Sequence, residues 1–245
     1  MIETEIRFEL LLPEPSAWNG RFLMGGGGGF VGTVQNQART LYGHGGMPLQ
    51  RGYATVGTDT GHVGGGIEAS WALSNPTRQM NWGHRAVHLT AEAAKSIITE
   101  YYGRAADHSY FVGCSRGGGQ AMMESQRYPD DFDGSVAAAP AYNWTAFTAG
   151  FLQAQQAMFP NGGSDDPVVR EETLELLGSS ILSACDAEDG VTDGVMTDPR
   201  RCSFSPSDLP MCSDDVAGEG RATRQDMAAI EAIYNALQEC SAIDL

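Results

Sequence analysis

A short apolar run, Ser109-Tyr110-Phe111-Val112, leads into a glycine-rich turn, Gly113-Cys114-Ser115-Arg116-Gly117-Gly118, and then into a helix-like run, Gly119–Ser125. Strand, tight turn and helix with a serine at the apex constrain the fold more than any other stretch of the chain. The G-x-S-x-G spacing in this context is that of a nucleophile elbow, in which a sharp turn lifts a hydroxyl clear of the end of a sheet. Glycines at 113 and 117 are needed because the turn brings its own backbone segments into close contact. The plainer alternative is a glycine-rich turn holding an ordinary serine, and the strand before and helix after it argue for the elbow.

The rest of the N-terminal half agrees with a layered fold of this kind. Ile2–Leu10 alternates like a strand inside a sheet. Arg21–Met24 reads as a strand running into the glycine run Gly25–Gly29, and Gly52–Gly57 as another, ending at Thr58–His62. Residues 81–102 predict a helix, with Ala86, Leu89, Ala93, Ile97 and Tyr101 at helical spacing and Gly103 as its stop. Gly134–Pro140 is a run of small residues that predicts a strand buried on both faces of a parallel sheet. Strands alternating with helices imply an α/β fold with a doubly wound sheet. From about residue 145 the pattern changes to helices over 147–158, 168–184 and 224–238, with an acidic, loop-rich stretch between 185 and 220. This divides the chain into an α/β core over 1–144 and the beginning of an inserted domain over 145–245.

With 15 basic against 31 acidic residues the formal net charge is −16. That argues against nucleic acid and anionic membrane surfaces as partners. No apolar run approaches the ~20 residues of a membrane span, and no charged-then-apolar leader follows Met1. The five cysteines, 114, 185, 202, 212 and 240, leave at least one unpaired within the chain, and none has the C-x-x-C spacing of a zinc ribbon. The glycine run at 25–29 lacks the Gly-Lys-Ser/Thr of a phosphate loop.

A cysteine directly before the elbow serine is unusual, and here it accompanies Trp18-Asn19-Gly20-Arg21-Phe22 ahead of the glycine run, the segment Tyr53–His62, and Ala138-Ala139-Pro140-Ala141-Tyr142-Asn143-Trp144. In this combination the chain resembles the tannase and feruloyl esterase family over nearly its whole length. The resemblance implies an α/β-hydrolase core carrying a lid domain. It implies that Ser115 attacks an ester carbonyl and that the backbone N–H of Arg116, with that of Gly28 or Gly29, holds the oxyanion. Fixed donors of this kind stabilise the tetrahedral intermediate by roughly 3 kcal/mol each. The substrates implied are small aromatic esters of feruloyl, galloyl or phthalate type.

Cys185-Asp186-Ala187-Glu188-Asp189-Gly190-Val191-Thr192-Asp193-Gly194-Val195 has the hard oxygen donors and the glycines of a wrapped cation loop, although its spacing is not that of an EF-hand. Read by itself it is equally a solvated acidic turn. The resemblance implies a structural calcium ion in the lid, held by the side chains of Asp186, Asp189 and Asp193 and the carbonyls of Val191 and Val195. It also implies a Cys185–Cys202 disulfide closing the loop, hence an oxidising compartment and a secreted or periplasmic protein. The family's cysteine pairing near position 212 has no counterpart in Val216–Thr223, which leaves Cys240 as a substitute partner for Cys212.

A serine nucleophile needs a base, and in α/β-hydrolases the histidine follows the serine. All five histidines, 44, 62, 84, 88 and 108, precede Ser115. The resemblance implies that the catalytic acid, the histidine and a cysteine that pairs with Cys114 all lie further downstream, so the expectation is a truncated chain that lacks all three. The alternative to a serine esterase is a non-catalytic fragment, or half of a two-chain esterase whose partner is the missing C-terminal half. Missing sheet strands would leave unpaired edges, which also favours a homo-oligomer. His62, at the end of a strand, and Asp59 are read as structural. His84 and His88, four apart on one helix, lack a nearby third ligand and are read the same way.

Overall fold

The computed structural model describes residues 5–41, 47–163, 166–212 and 220–241. His44, residues 2–4 of the expected first strand, and the side chain of Cys240 lie outside the described part. The chain divides into two compact units, Met1–Tyr142 and Asn143–Leu245.

The first unit holds strands β1 (Phe8–Leu11), β2 (Arg21–Gly25), β3 (Ala54–Thr58), β4 (His108–Cys114) and β5 (Gly134–Ala138), with helices α1 (Ala38–Leu41), α2 (Pro76–Met80), α3 (Ala86–Tyr102) and α4 (Arg116–Arg127). The strands lie in the order β1-β3-β2-β4-β5. β1 runs antiparallel to β3, whereas β2 is parallel to both β3 and β4, and β4 to β5. The chain moves from β2 to one neighbour and then back across to the other, so the order reverses between β2 and β4. In open α/β sheets ligands bind outside the carboxyl ends of the strands at such a reversal. The glycine run leaving β2 and the serine turn leaving β4 both lie there, with Gly25 paired to Val112.

The core is made by Phe22 and Met24 of β2, Ala54 and Val56 of β3, and Phe111 of β4, packed against Val87, Ala91, Ala94 and Ile98 of α3. The expected helix forms as α3, and the expectation for β5 is corrected. The apolar stripe of α3 has helical period, but the buried face is the one through Val87, Thr90, Ala91, Ala94 and Ile98, while Leu89, Ile97 and Tyr101 are exposed. Alanines allow the helix to sit close to the sheet, and the larger residues point away. β5 is not buried on both faces: Ser135, Val136 and Ala137 are exposed. It is the outermost strand of the described sheet, with β4 as its neighbour, so its small residues line an edge. Val136 helps line a cleft of about 400 Å³ with Leu23, Tyr53 and Tyr110.

The second unit contains α5 (Trp144–Met158), α6 (Glu171–Cys185) and α7 (Arg224–Ser241). Its own core gathers Val169, Leu209, Ala222, Met227, Ala229 and Ile230. Among the described residues, no helix is long and apolar enough to cross a membrane.

Candidate active site

Ser115 sits between β4 and α4 with φ 58° and ψ −118°. A non-glycine residue at positive φ is strained, and such strain persists only where the surroundings over-determine it. Here they do. The Ser115 N–H donates to the Ala138 carbonyl at 3.0 Å, and its own carbonyl accepts from Gly119 N–H at 3.1 Å and Ala141 N–H at 2.9 Å. A Cβ on Gly113 would lie 2.2 Å from the Gly117 carbonyl oxygen, and one on Gly117 would lie 2.1 Å from Gln37 Oε1. Backbone leaves room only for glycine at 113, whereas a side chain at 117 would displace the Gln37 amide. Ser115 is exposed.

The glycine run is locked to the elbow by two glutamines that sequence reading did not single out. Gln37 Oε1 accepts from Cys114 N–H at 2.8 Å, and its Nε2 donates to the Cys114 carbonyl at 3.2 Å. Gln120 of α4, itself buried, accepts from Gly27 N–H at 3.0 Å. Gly26 N–H donates to Val112 and Gln37 N–H to Gly26. These partners lie 77 and 93 residues apart along the chain, so no local sequence signal points to them.

Of the expected oxyanion donors, Arg116 is the first residue of α4, where helical N–H groups lack intrahelical partners. Gly28 N–H donates to Gln35 Oε1 at 2.8 Å. Gly29 takes φ +55°, and a Cβ there would meet the Gly66 carbonyl oxygen at 2.2 Å. The Arg116 side chain turns away into the protein. It is buried, lies 3.9 Å over the Trp82 ring, and donates to the Trp82 and Gly83 carbonyls. Burial pushes its pKa down to about 10.

Each described histidine is engaged elsewhere. His62 is buried, with Nε2 2.9 Å from the Phe30 carbonyl and its ring stacked on Trp71 at 3.6 Å. Burial holds its pKa below the usual value. His84 Nδ1 lies 2.6 Å from the Tyr128 hydroxyl, and His88 Nδ1 lies 2.7 Å from Asp131 Oδ2. His108 opens β4, at the opposite end of the strand from Cys114 and so roughly 20 Å from the elbow. Asp59 is buried and accepts from Arg7 N–H at 3.0 Å and Gly61 N–H at 2.7 Å.

In the second unit Cys185 and Cys202 are disulfide-bonded, with Cα atoms 5.3 Å apart. Cys114 and Cys212 are free thiols. Asp186 is buried and accepts from Gly194 N–H through both oxygens, at 3.0 and 3.1 Å. Asp189 accepts from Val191 N–H at 3.0 Å and from Thr197 Oγ1 at 2.7 Å, and these bonds, led by Thr197, hold its pKa down. Asp193 accepts from Val195 N–H at 3.1 Å. Each carboxylate has about four lone-pair sites, so these bonds orient the oxygens without exhausting them. The donor set is all hard oxygen, which suits calcium. The three carboxylates do not gather within 4.8 Å of one another; ligands on opposite sides of a calcium ion stand about 5 Å apart.

The family model described as tannase and feruloyl esterase matches residues 2–244. The chain belongs to this family. Its fold is accordingly that of an α/β-hydrolase. Relatives include an uncharacterized esterase from Xanthomonas campestris pv. campestris, 38% identical over 211 residues. Another is the mono(2-hydroxyethyl) terephthalate hydrolase of Piscinibacter sakaiensis, 36% identical over 225 residues. These alignments cover 86% and 83% of this chain but 35% and 36% of the relatives. The crystal structure of feruloyl esterase B from Aspergillus oryzae superimposes with a TM-score of 0.79 at 30% identity, covering 94% of this chain and 44% of that one. This member of the tannase and feruloyl esterase family thus spans about a third of the length of the curated relatives it matches.

Proposed function

We propose that this chain carries the nucleophile half of a carboxylic ester hydrolase acting on aromatic esters. Ser115 Oγ attacks the ester carbonyl, the alcohol leaves with a proton, and water then releases the acid from the acyl-enzyme. The Arg116 amide at the start of α4 and a glycine-run amide hold the oxyanion. Gly29 is the preferred candidate of the two glycines, since the Gly28 amide already donates to Gln35. The single observation that carries the reading is the strained, exposed Ser115 at the sheet reversal, in a chain matched by the esterase family throughout.

The general base is not one of the four described histidines, because each is bonded or placed away from the elbow. We assign it to a residue outside the described ones or to a second chain. Asp186, Asp189, Asp193 and the carbonyls of Val191 and Val195 would hold a calcium ion. That ion would supply charge neutralisation and rigidity to the loop stapled by Cys185–Cys202. The disulfide favours an oxidising, secreted or periplasmic setting.

The test is hydrolysis of methyl ferulate and methyl gallate by the purified chain beside Ser115→Ala, with and without free imidazole as an external base. Ser115-dependent turnover that rises with imidazole supports both the nucleophile and the missing base. Turnover without imidazole that disappears in His62→Gln would overturn the second point, and identical rates in Ser115→Ala would overturn the first.

A further inference from the structure

Away from the elbow, three segments bring acceptor groups together. His88 comes from α3, Glu124 from α4 and Asp131 from the loop before β5, and one ligand atom of each lies within 4.8 Å of the others. Glu124 is 1% exposed, and neither of its carboxylate oxygens has a hydrogen-bond partner. Asp131 is 8% exposed. A buried carboxylate without donors costs several kcal/mol unless it is neutralised.

The nearest cation does not do this. Lys95 donates to the backbone carbonyl of Asp131, and its Nζ stands 3.9 Å from Asp131 Oδ1. The imidazole is held as a ligand would be. It stacks on Tyr128 at 3.9 Å with planes 5° apart, and Nε2 faces Glu92 Oε2 at 3.4 Å. A carboxylate on the far ring nitrogen is the usual partner of a metal-bound histidine, because it fixes the tautomer and raises ligand basicity. Nδ1 lies 2.7 Å from Asp131 Oδ2, a hydrogen bond that holds one proton. Release of that proton leaves a ring nitrogen and two carboxylates facing one point.

We propose that His88, Glu124 and Asp131 form a binding site for a divalent transition-metal ion of the zinc type. One imidazole and two carboxylates suit such an ion. The ion would tie α3 to the helix that begins at Arg116, and so brace the elbow from behind. The site is separate from the Asp186–Val195 loop, which offers only oxygen.

The experiment uses the whole chain, stripped with chelator and saturated with calcium. Zn²⁺ is titrated by calorimetry, and Co²⁺ is added as a visible-absorption probe. The expected result is one Zn²⁺ per chain and a Co²⁺ d–d spectrum. Both should be lost in His88→Ala and in the near-isosteric Glu124→Gln and retained in Asp186→Asn. Glu92→Gln should weaken binding roughly 10- to 100-fold. His88 is partly exposed, so His88→Ala decides the matter if Glu124→Gln fails to fold. Absence of stoichiometric binding would overturn the proposal and leave a proton shared between Glu124 and Asp131. So would binding unchanged in His88→Ala.

Discussion

Replacing Gln37 by methionine removes the clasp on Cys114 while keeping the length and flexibility of the side chain. Two hydrogen bonds are lost, at 2.8 and 3.2 Å. The cost is dominated by the stranded Cys114 N–H and C=O, each about 1–3 kcal/mol when fully buried. Cys114 is only half-buried, so the lower end applies and the total is about 2–3 kcal/mol. For a chain of this size that lowers Tm by roughly 5–10 °C. The assay is thermal unfolding of the chain and of Gln37→Met, with peptide mapping of thiol alkylation under native conditions. Cys114 should label faster in the variant, because the turn it precedes is no longer pinned. A Tm within about 1 °C of the parent, together with unchanged labelling of Cys114, would refute the view that Gln37 holds the elbow.

Three further outcomes are expected. His62 is held neutral by burial, so it contributes stability above its unfolded pKa of about 6.5, and that contribution fades as pH falls from there toward the lower native value. Unfolding midpoints followed from pH 7 downward should drop less steeply in His62→Gln. The Cys185–Cys202 bond closes a separation of 17 residues, which in the chain-entropy model is worth about 3 kcal/mol. Reduction should therefore lower the denaturant midpoint of the second unit, and a Cys185→Ser/Cys202→Ser variant should be insensitive to reductant. Calcium should raise the unfolding midpoint of the parent chain and not of Asp186→Asn; an equal rise in both would show that the loop does not bind it.

The parts of the fold that sequence revealed are those with local signals. The elbow and the glycine stop at Gly103, which takes φ 68°, are both written within a few residues. What escaped is set by partners distant along the chain. The buried face of α3 is chosen by contact with Phe22, Val56 and Phe111, which favours close-packing alanines over the larger Leu89 and Ile97. The exposure of β5 depends on which strands and helices lie beside it, which a run of small residues does not specify. At the candidate site, Ser115 and the acidic loop were legible as motifs, whereas Gln37 and Gln120 were not, since neither belongs to a short pattern. His88 shows no third ligand near it in sequence, because Glu124 and Asp131 lie about forty residues further along the chain. The fold instead gives His84 to Tyr128 and brings Asp131 and Glu124 to His88.

The central claim is that Ser115 is the acyl-accepting atom, and its neighbour Cys114 is a free, half-buried thiol that competes for that role. The direct measurement is peptide mapping by mass spectrometry after brief reaction with p-nitrophenyl ferulate. The account predicts a feruloyl group on Ser115 that is absent from Ser115→Ala. Feruloyl found on Cys114 with Ser115 unmodified, or no adduct on the 113–118 turn at all, would contradict it.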